Sequence, residues 1–410
     1  VDSVAPRFKE AWKLLNIDYD YFVRTTDRRH EKVVADLLNK AYKNGYIYKG
    51  VYEGLYCVGC EKFLTESELV DSKCPLHPNR QPIHQKEKNY FLKLKQLSKK
   101  ILEKIEKEEY KIEPAKRRHE ILSRLVLGVE DISISREGVS WGIPVPWDPS
   151  QTVYVWIDAL VNYYSSTRFL KERKKFWPPQ LHIIGKDILW FHSVIWQAFL
   201  LAAGINDFPE TIFAHGFFTI DGQKMSKSIG NVISPKQLVD RYGIDGTRYL
   251  VISAYPFGSD GDISLQRFDE KYNADLANGL GNLIARVERL AERSGFDGTQ
   301  CDNDTDLSEE IEIVTGTAIQ LYDFTRALDY IWKSITTLNN WLDRERPWEK
   351  NPKSTNKKLG EIIVGTTSIR GIRQISRALK SFMPDAAKEI EERFSRKRIT
   401  LGQPLFKRIE

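Results

Sequence analysis

The sequence predicts an α/β protein: a doubly wound parallel sheet of the Rossmann type, interrupted by a small cysteine-bearing module and closed by an all-helical end. Three observations predict it. Between about residues 151 and 215, short apolar β-branched runs alternate with helical periodicity, the pattern of parallel strands joined by crossover helices. Cys57-x-x-Cys60 and Cys74-x-x-His77, thirteen residues apart, have the spacing of a small metal knuckle. From about Ser264 onward nearly every apolar residue falls at three- or four-residue spacing, which reads as a helical bundle. A chain of 410 residues, 41% hydrophobic and 29% charged, is long enough for two to four domains with their own cores.

In chain order, apolar spacing predicts helices over residues 7–15 and 31–42, the second entered from Asp27 as N-cap and ended by Gly45. From about Tyr46, short aromatic strand-like pieces surround the cysteines. Residues 90–110 read as a Lys- and Glu-rich amphipathic helix, with a second helix after Glu113-Pro114; most of these lysines fit a solvated, ion-paired face. Residues 131–136 and the Pro-rich stretch 141–147 return to strands and turns. Then come a strand over 152–156, a helix over 158–165, a buried strand over 181–184, and a helix over 187–203 stopped by Gly204. Residues 211–220 read as another strand, with Asp221-Gly222 as its turn. Ser234-Pro235 starts a helix that Gly243 ends. Polar breaks at 298–306 and 351–356 divide the helical remainder.

Several classes are excluded or disfavoured. The opening residues carry no basic-then-apolar signal, and nowhere do eighteen apolar residues run together, so neither secretion nor a membrane span is indicated. Four cysteines, three of them inside the knuckle pattern, are too few for a disulfide framework. A reducing compartment fits, cytoplasmic first, with an organelle left open. A formal charge of +6 permits a nucleic-acid partner without requiring one.

Three clusters carry chemistry. Lys224-Met225-Ser226-Lys227-Ser228 follows the Asp221-Gly222 turn and gathers two ammonium groups and two hydroxyls, a set that suits a polyphosphate. Taken one at a time, these residues also describe a solvated basic loop. Gly185-Lys186-Asp187 sits where a strand gives way to a helix, the end of a parallel sheet at which ligands bind. Beside it, Trp156, Ala159, Leu160 and Tyr163 share one helical face, and Ile188 and His192 lie four apart. Such a set lines a small apolar pocket with a polar tip or serves as ordinary core, and periodicity alone leaves both open. The Cys₃His knuckle is a closed four-ligand set, which points to a structural Zn²⁺ held by Cys57, Cys60, Cys74 and His77.

The strings Tyr-Glu-Gly-Leu-Tyr-Cys57-x-x-Cys60-Glu, Val-Trp156-Ile-Asp-Ala159-Leu-x-x-Tyr163, Ile-Gly185-Lys-Asp-Ile188-x-x-Phe-His192, His215-Gly216 and Lys224-Met-Ser-Lys-Ser228 occur in one order. In order and spacing they resemble the methionyl-tRNA synthetases of class I, over essentially the whole chain. The resemblance implies activation of L-methionine by ATP to methionyl-adenylate and transfer to the 3′ end of tRNA(Met). It implies that Trp156, Ala159, Leu160, Tyr163, Ile188 and His192 contact methionine. Gly185, Lys186, Asp187, His215, Gly216, Lys224, Ser226, Lys227 and Ser228 would hold ATP with its Mg²⁺, and Lys224 and Lys227 would serve the chemical step. Arg136 matches an arginine near the active site. Asn282, Arg286 and Trp348 match positions that read the anticodon; by composition alone they fit a polar helix surface and a partly buried ring.

The implied division is residues 1–46 as the end of the first half of the nucleotide fold, 47–150 as a connective domain with the knuckle, 151–215 as the second half, 216–263 as the loop and linking domain, and 264–410 as the anticodon bundle. A monomer is expected. The family's His-x-Gly-His string does not occur, so the chain is expected to lack the N-terminal part that carries it and to need that part for activity. A non-catalytic tRNA-binding protein derived from a synthetase is the alternative. A synthetase for another aliphatic amino acid is disfavoured, because residues 46–150 leave little room for an editing insertion.

Overall fold

The computed structural model describes residues 2–58, 62–64, 69–75, 77, 79–220, 222–225, 232–300, 307–346 and 368–410. The chain divides into two compact units, one formed by Tyr19–His215 and the other by Val1–Asp18 with Gly216–Glu410. Among the described residues no helix is long and apolar enough to cross a membrane.

The first unit is built on a parallel sheet. Strand Thr211–His215 pairs in parallel with Lys111–Glu113 on one side and Leu181–Gly185 on the other. Its centre, Ile212 to Ala214, is buried, as expected of a strand covered on both faces. Leu181–Gly185 instead alternates, with His182 and Ile184 buried and Ile183 exposed. The wholly buried strand expected there is therefore corrected to a half-buried one whose Ile183 face is open to solvent. Helices Arg28–Lys43, Leu94–Glu106, Val155–Ser165 and Trp196–Ala202 supply the surrounding apolar residues of one continuous core.

An antiparallel sheet accompanies it. Ile47–Cys57 is one eleven-residue strand rather than short pieces, and it pairs along its length with Ile83–Leu92. The helix expected over residues 90–110 is therefore corrected to a strand followed by helix Leu94–Glu106. Glu87 and Asn89 are buried while Lys86 and Lys88 face solvent, a period of two that a long partner strand imposes over the helix preference of Lys and Glu.

Three further boundaries move. The strand expected over 152–156 is Asp148–Val153, and helix Val155–Ser165 begins with Tyr154 extended as its N-cap. The helix expected over 187–203 is a 3₁₀ turn Lys186–Ile188, a π-turn Phe191–Ile195 and an α-helix Trp196–Ala202; wide turns of this kind gather at functional positions. The single strand expected over 211–220 is two, Thr211–His215 and Phe218–Ile220.

In the second unit, Phe218–Ile220 pairs antiparallel with Gln223–Lys224 and in parallel with Gly261–Asp262. Helix Pro235–Ser253 starts with a full capping box, Ser234 Oγ accepting from Gln237 N and Gln237 Oε1 accepting from Ser234 N. As expected, Gly243, at φ +70° and ψ 176°, ends the first helical stretch, and a second one continues to Ser253 beyond the kink. The helical remainder, including Asn282–Ser294, Phe324–Glu345, Arg370–Leu379 and Pro384–Phe394, closes over a second core around Leu276, Leu283, Ile331 and Ile390. The polar break at 298–306 begins with a 3₁₀ turn Gly298–Gln300, and the rest of it, with 351–356, lies outside the described residues.

Candidate functional site

The first unit assembles five rings where the sequence suggested a pocket. Helix Val155–Ser165 carries Trp156 and Tyr163, seven residues apart and so on one face. Trp156 stacks on Phe191 with centroids 4.1 Å apart and meets His192 edge-on at 6.4 Å. Tyr163 stacks on His182 at 4.1 Å, and its hydroxyl lies 2.9 Å from His192 Nε2. Trp156, Ala159, Tyr163 and Ile188 are half-buried, whereas Leu160 is fully buried and belongs to the core behind the wall.

Hydrogen-bond logic fixes the state of His192. Its Nδ1 is 2.9 Å from the carbonyl of Ile188, and a carbonyl only accepts, so Nδ1 carries the proton. Nε2 is then the acceptor, and the Tyr163 hydroxyl donates to it. Burial pushes His192 below the ordinary histidine range, opposed in part by the Ile188 carbonyl. His182 is pushed down to about 3, chiefly by burial and further by His192. Among the described residues, neither ring nitrogen of His182 has a hydrogen-bond partner. Two neutral imidazoles and three aromatic faces thus make a wall that is apolar in bulk with a few oriented polar atoms, the make-up of a small-ligand pocket.

The same strand ends carry the other expected residues. In the parallel register His215 stands opposite Gly185, which aligns the carboxyl ends of neighbouring strands, where open α/β sheets take ligands. Gly185 ends its strand, Lys186 is half-buried and Asp187 is exposed on the turn that follows. Arg136 does not extend freely: its guanidinium donates to Ser133 Oγ at 2.9 Å and Ser135 O at 2.7 Å and lies 4.1 Å over the ring of Tyr154.

In the second unit the sequence Lys224–Ser228 leaves a hairpin whose geometry is set by Asp262. One carboxylate oxygen, Oδ1, accepts from Gly222 N and from Thr219 Oγ1, both at 2.8 Å, and these bonds hold its carboxyl below the usual range. Gly222, at φ +72°, supplies the turn. Gly216 is required sterically, since a Cβ there would lie 2.2 Å from Ser259 O. Met225 lines an apolar cavity of about 480 Å³ together with Leu15, Ile233 and Leu238. Ser226, Lys227 and Ser228 lie outside the described residues, as does the side chain of Lys224.

The knuckle brings together Cys57, Cys74 and His77, with their ligand atoms all within 4.8 Å of one another. His77 Nδ1 is 3.7 Å from Cys57 Sγ and 3.9 Å from Cys74 Sγ. A tetrahedral thiolate–imidazole site spaces sulfur and nitrogen by about 3.6 Å, so the donor set fits such an ion. Local structure explains the approach. Asp71 and Ser72 both take positive φ in the tight turn between Val70 and Lys73, and His77 N closes the Cys74 turn onto Cys74 O at 3.0 Å. Cys60 lies outside the described residues.

Asn282 is exposed on helix Asn282–Ser294, while Arg286 reaches the neighbouring helix, donating to Asn339 Oδ1 at 3.0 Å and Asp343 Oδ1 at 2.5 Å. Trp348 lies outside the described residues. Phe191, His182 and Asp262 were not singled out from the sequence. Phe191 adjoins His192 in a quoted string, but nothing local in the sequence marks the other two.

A family model described as tRNA synthetases class I (M) matches residues 1–81 and 68–288. The chain belongs to this family of class I synthetases. It is 39% identical over 407 residues to a methionine--tRNA ligase of Caldanaerobacter subterraneus subsp. tengcongensis, covering 96% of this chain and 63% of that protein. It is 36% identical over 444 residues to that of Thermotoga maritima, covering 100% and 70%. Among solved structures, it superposes on Mycobacterium tuberculosis methionyl-tRNA synthetase in complex with methionyl-adenylate with a TM-score of 0.88 at 30% identity, covering 99% of this chain and 87% of that one. It therefore has the class I synthetase fold of mixed α/β content. The chain spans just under two thirds of the length of several relatives, 62% in the case of Clostridium acetobutylicum.

Proposed function

We propose that the residues of this chain belong to a methionine--tRNA ligase that activates L-methionine with ATP and charges tRNA(Met). The observation that carries the reading is the aromatic wall of Trp156, Phe191, Tyr163, His192 and His182 beside the strand end Gly185-Lys186-Asp187. A thioether is soft, polarisable and apolar, and it packs well against aromatic faces. The relatives named as methionine--tRNA ligases support the same substrate.

In the first step a methionine carboxylate oxygen attacks the α-phosphorus of ATP. The bond from that phosphorus to its bridging oxygen breaks, and pyrophosphate leaves with the electron pair. The step needs little acid–base help; its demand is for cations beside the oxygens that gain charge. Lys224 and above all Lys227 fill that role, with Ser226, Ser228, Lys186, His215 and backbone groups at Gly185 and Gly216 holding the nucleotide and Asp187 its ribose. Mg²⁺ accompanies ATP. In the second step a terminal ribose hydroxyl of tRNA attacks the methionyl carbonyl carbon, and AMP leaves.

Trp156, Ala159, Tyr163, Ile188 and His192 bind the methionine side chain, with Leu160 backing them. Cys57, Cys60, Cys74 and His77 hold one Zn²⁺, which ties the knuckle together and takes no part in either step. Residues 264–410 form the anticodon-binding region, with Asn282, Arg286 and Trp348 at the bases; Arg286 exchanges its contacts with Asn339 and Asp343 for RNA. Titration of the natural full-length polypeptide that contains these residues with L-methionine against L-leucine tests the pocket: preferential methionine binding supports the reading, and equal or absent binding contradicts it.

A further inference from the structure

We infer that His30 is a positioning residue for the methionine pocket, an imidazole clamp that sets the rotation of the helix carrying Trp156 and Tyr163. The inference rests on the proposed methionine site. His30 is fully buried on helix Arg28–Lys43. Its Nδ1 lies 2.8 Å from Ser165 Oγ and its Nε2 lies 2.7 Å from Asp158 Oδ1. Both partners are on helix Val155–Ser165 and stand seven residues apart, as Trp156 and Tyr163 do.

At about 100° per residue, a seven-residue step returns to the same face, and Asp158 and Ser165 are each two residues, about 200°, beyond Trp156 and Tyr163. The clamp thus grips two successive turns on the face directly opposite the two pocket rings. The helix that supplies it is itself held by Val34, Leu37, Leu38 and Ala41 in the core, so His30 refers the pocket helix to a fixed support. A side chain reaches roughly 6 Å from a helix axis, and at that radius a 10° rotation moves a ring by about 1 Å. That displacement disturbs the 4.1 Å stacks of Trp156 on Phe191 and Tyr163 on His182, and misplacements of this size lower binding and rate by up to about 10²-fold.

The test is calorimetric titration of the natural full-length polypeptide that contains these residues, and of its variants, with methionine and with norleucine, which carries a methylene in place of the sulfur, beside thermal melts. His30→Ala is expected to weaken methionine binding by about 10-fold or more and to narrow the ratio between the two amino acids. His30→Gln, which keeps an N–H toward Asp158, is expected to recover affinity to within about 3-fold of the parent. If His30→Ala does not fold, the Asp158→Ala, Ser165→Ala double variant, which removes both partner atoms, breaks the same clamp and is held to the same thresholds. Methionine affinity unchanged in the broken clamp overturns the inference, as does equal weakening toward both amino acids in step with the melting temperature. Absence of methionine binding in the parent full-length polypeptide overturns the functional reading and this inference with it, whereas parent binding with an indifferent variant overturns this inference alone.

Discussion

Tyr163→Phe deletes one oxygen and leaves the ring stacked on His182, so it isolates the hydrogen bond to His192. That bond spans 2.9 Å, and His192 is only 3% exposed. Because Ile188 O holds the proton on Nδ1, Nε2 has no N–H of its own to redirect, and the variant leaves a buried acceptor unsatisfied. The expected cost to stability is about 1–3 kcal/mol, which for a unit of this size lowers its melting temperature by roughly 2–12 °C. Loss of the bond also frees the imidazole that shapes the pocket, and methionine affinity is expected to fall about 10-fold, or about 1.4 kcal/mol. Melts and calorimetric titration read both effects. A double-mutant cycle with His192→Leu supplies the decisive number: the hydroxyl and the imidazole should couple by about 1–2 kcal/mol. Additive effects of the two substitutions, or a Tyr163→Phe chain that melts and binds like the parent, refute this account of the pair.

Other outcomes follow from the same geometry. Burial holds His182 and His192 below the ordinary range, so in the unfolded chain they bind protons at a higher pH than in the folded one; stability is therefore lost as pH falls below about 6.5. For His182 the loss runs down to about 3, at up to about 1.4 kcal/mol per pH unit, and His182→Phe should flatten the pH dependence of urea midpoints there. Cys74→Ser is expected to release one equivalent of zinc, measured by metal analysis, and to strip amide protection around Leu64 and Val70–Lys73, while methionine affinity stays within about 2-fold because the metal takes no part in the pocket. In the natural full-length polypeptide that contains these residues, Lys227→Ala should slow ATP–pyrophosphate exchange by on the order of 10²-fold with methionine affinity little changed; a normal exchange rate removes its assigned role. Trp348→Ala should weaken binding of a CAU anticodon stem-loop by about 1–3 kcal/mol, and unchanged affinity counts against a stacking role.

Much of the site was legible because its residues are local neighbours. Trp156 with Tyr163 and Ile188 with His192 follow from helical spacing, and Cys57, Cys74 and His77 from short turns. What escaped the sequence is what tertiary pairing decides. Tyr90, Phe91 and Leu92 open the stretch read as a helix over residues 90–110, yet residues 83–92 pair with Ile47–Cys57 over ten positions and form a strand. His30 and Asp158 are 128 positions apart, and His182 meets Tyr163 only once strand and helix pack, so no local pattern marks them. Gly243 was legible as a stop: at φ +70° it ends one helical stretch, and what no local pattern marks is the second stretch that follows across the kink, with Thr247, Tyr249 and Leu250 buried.

The most direct test of the central claim is exchange of labelled pyrophosphate into ATP by the natural full-length polypeptide that contains these residues, with single amino acids supplied in turn. Exchange should depend on L-methionine and stay near background with leucine, isoleucine or valine. Exchange driven equally well by those branched amino acids, or none with methionine, contradicts that claim.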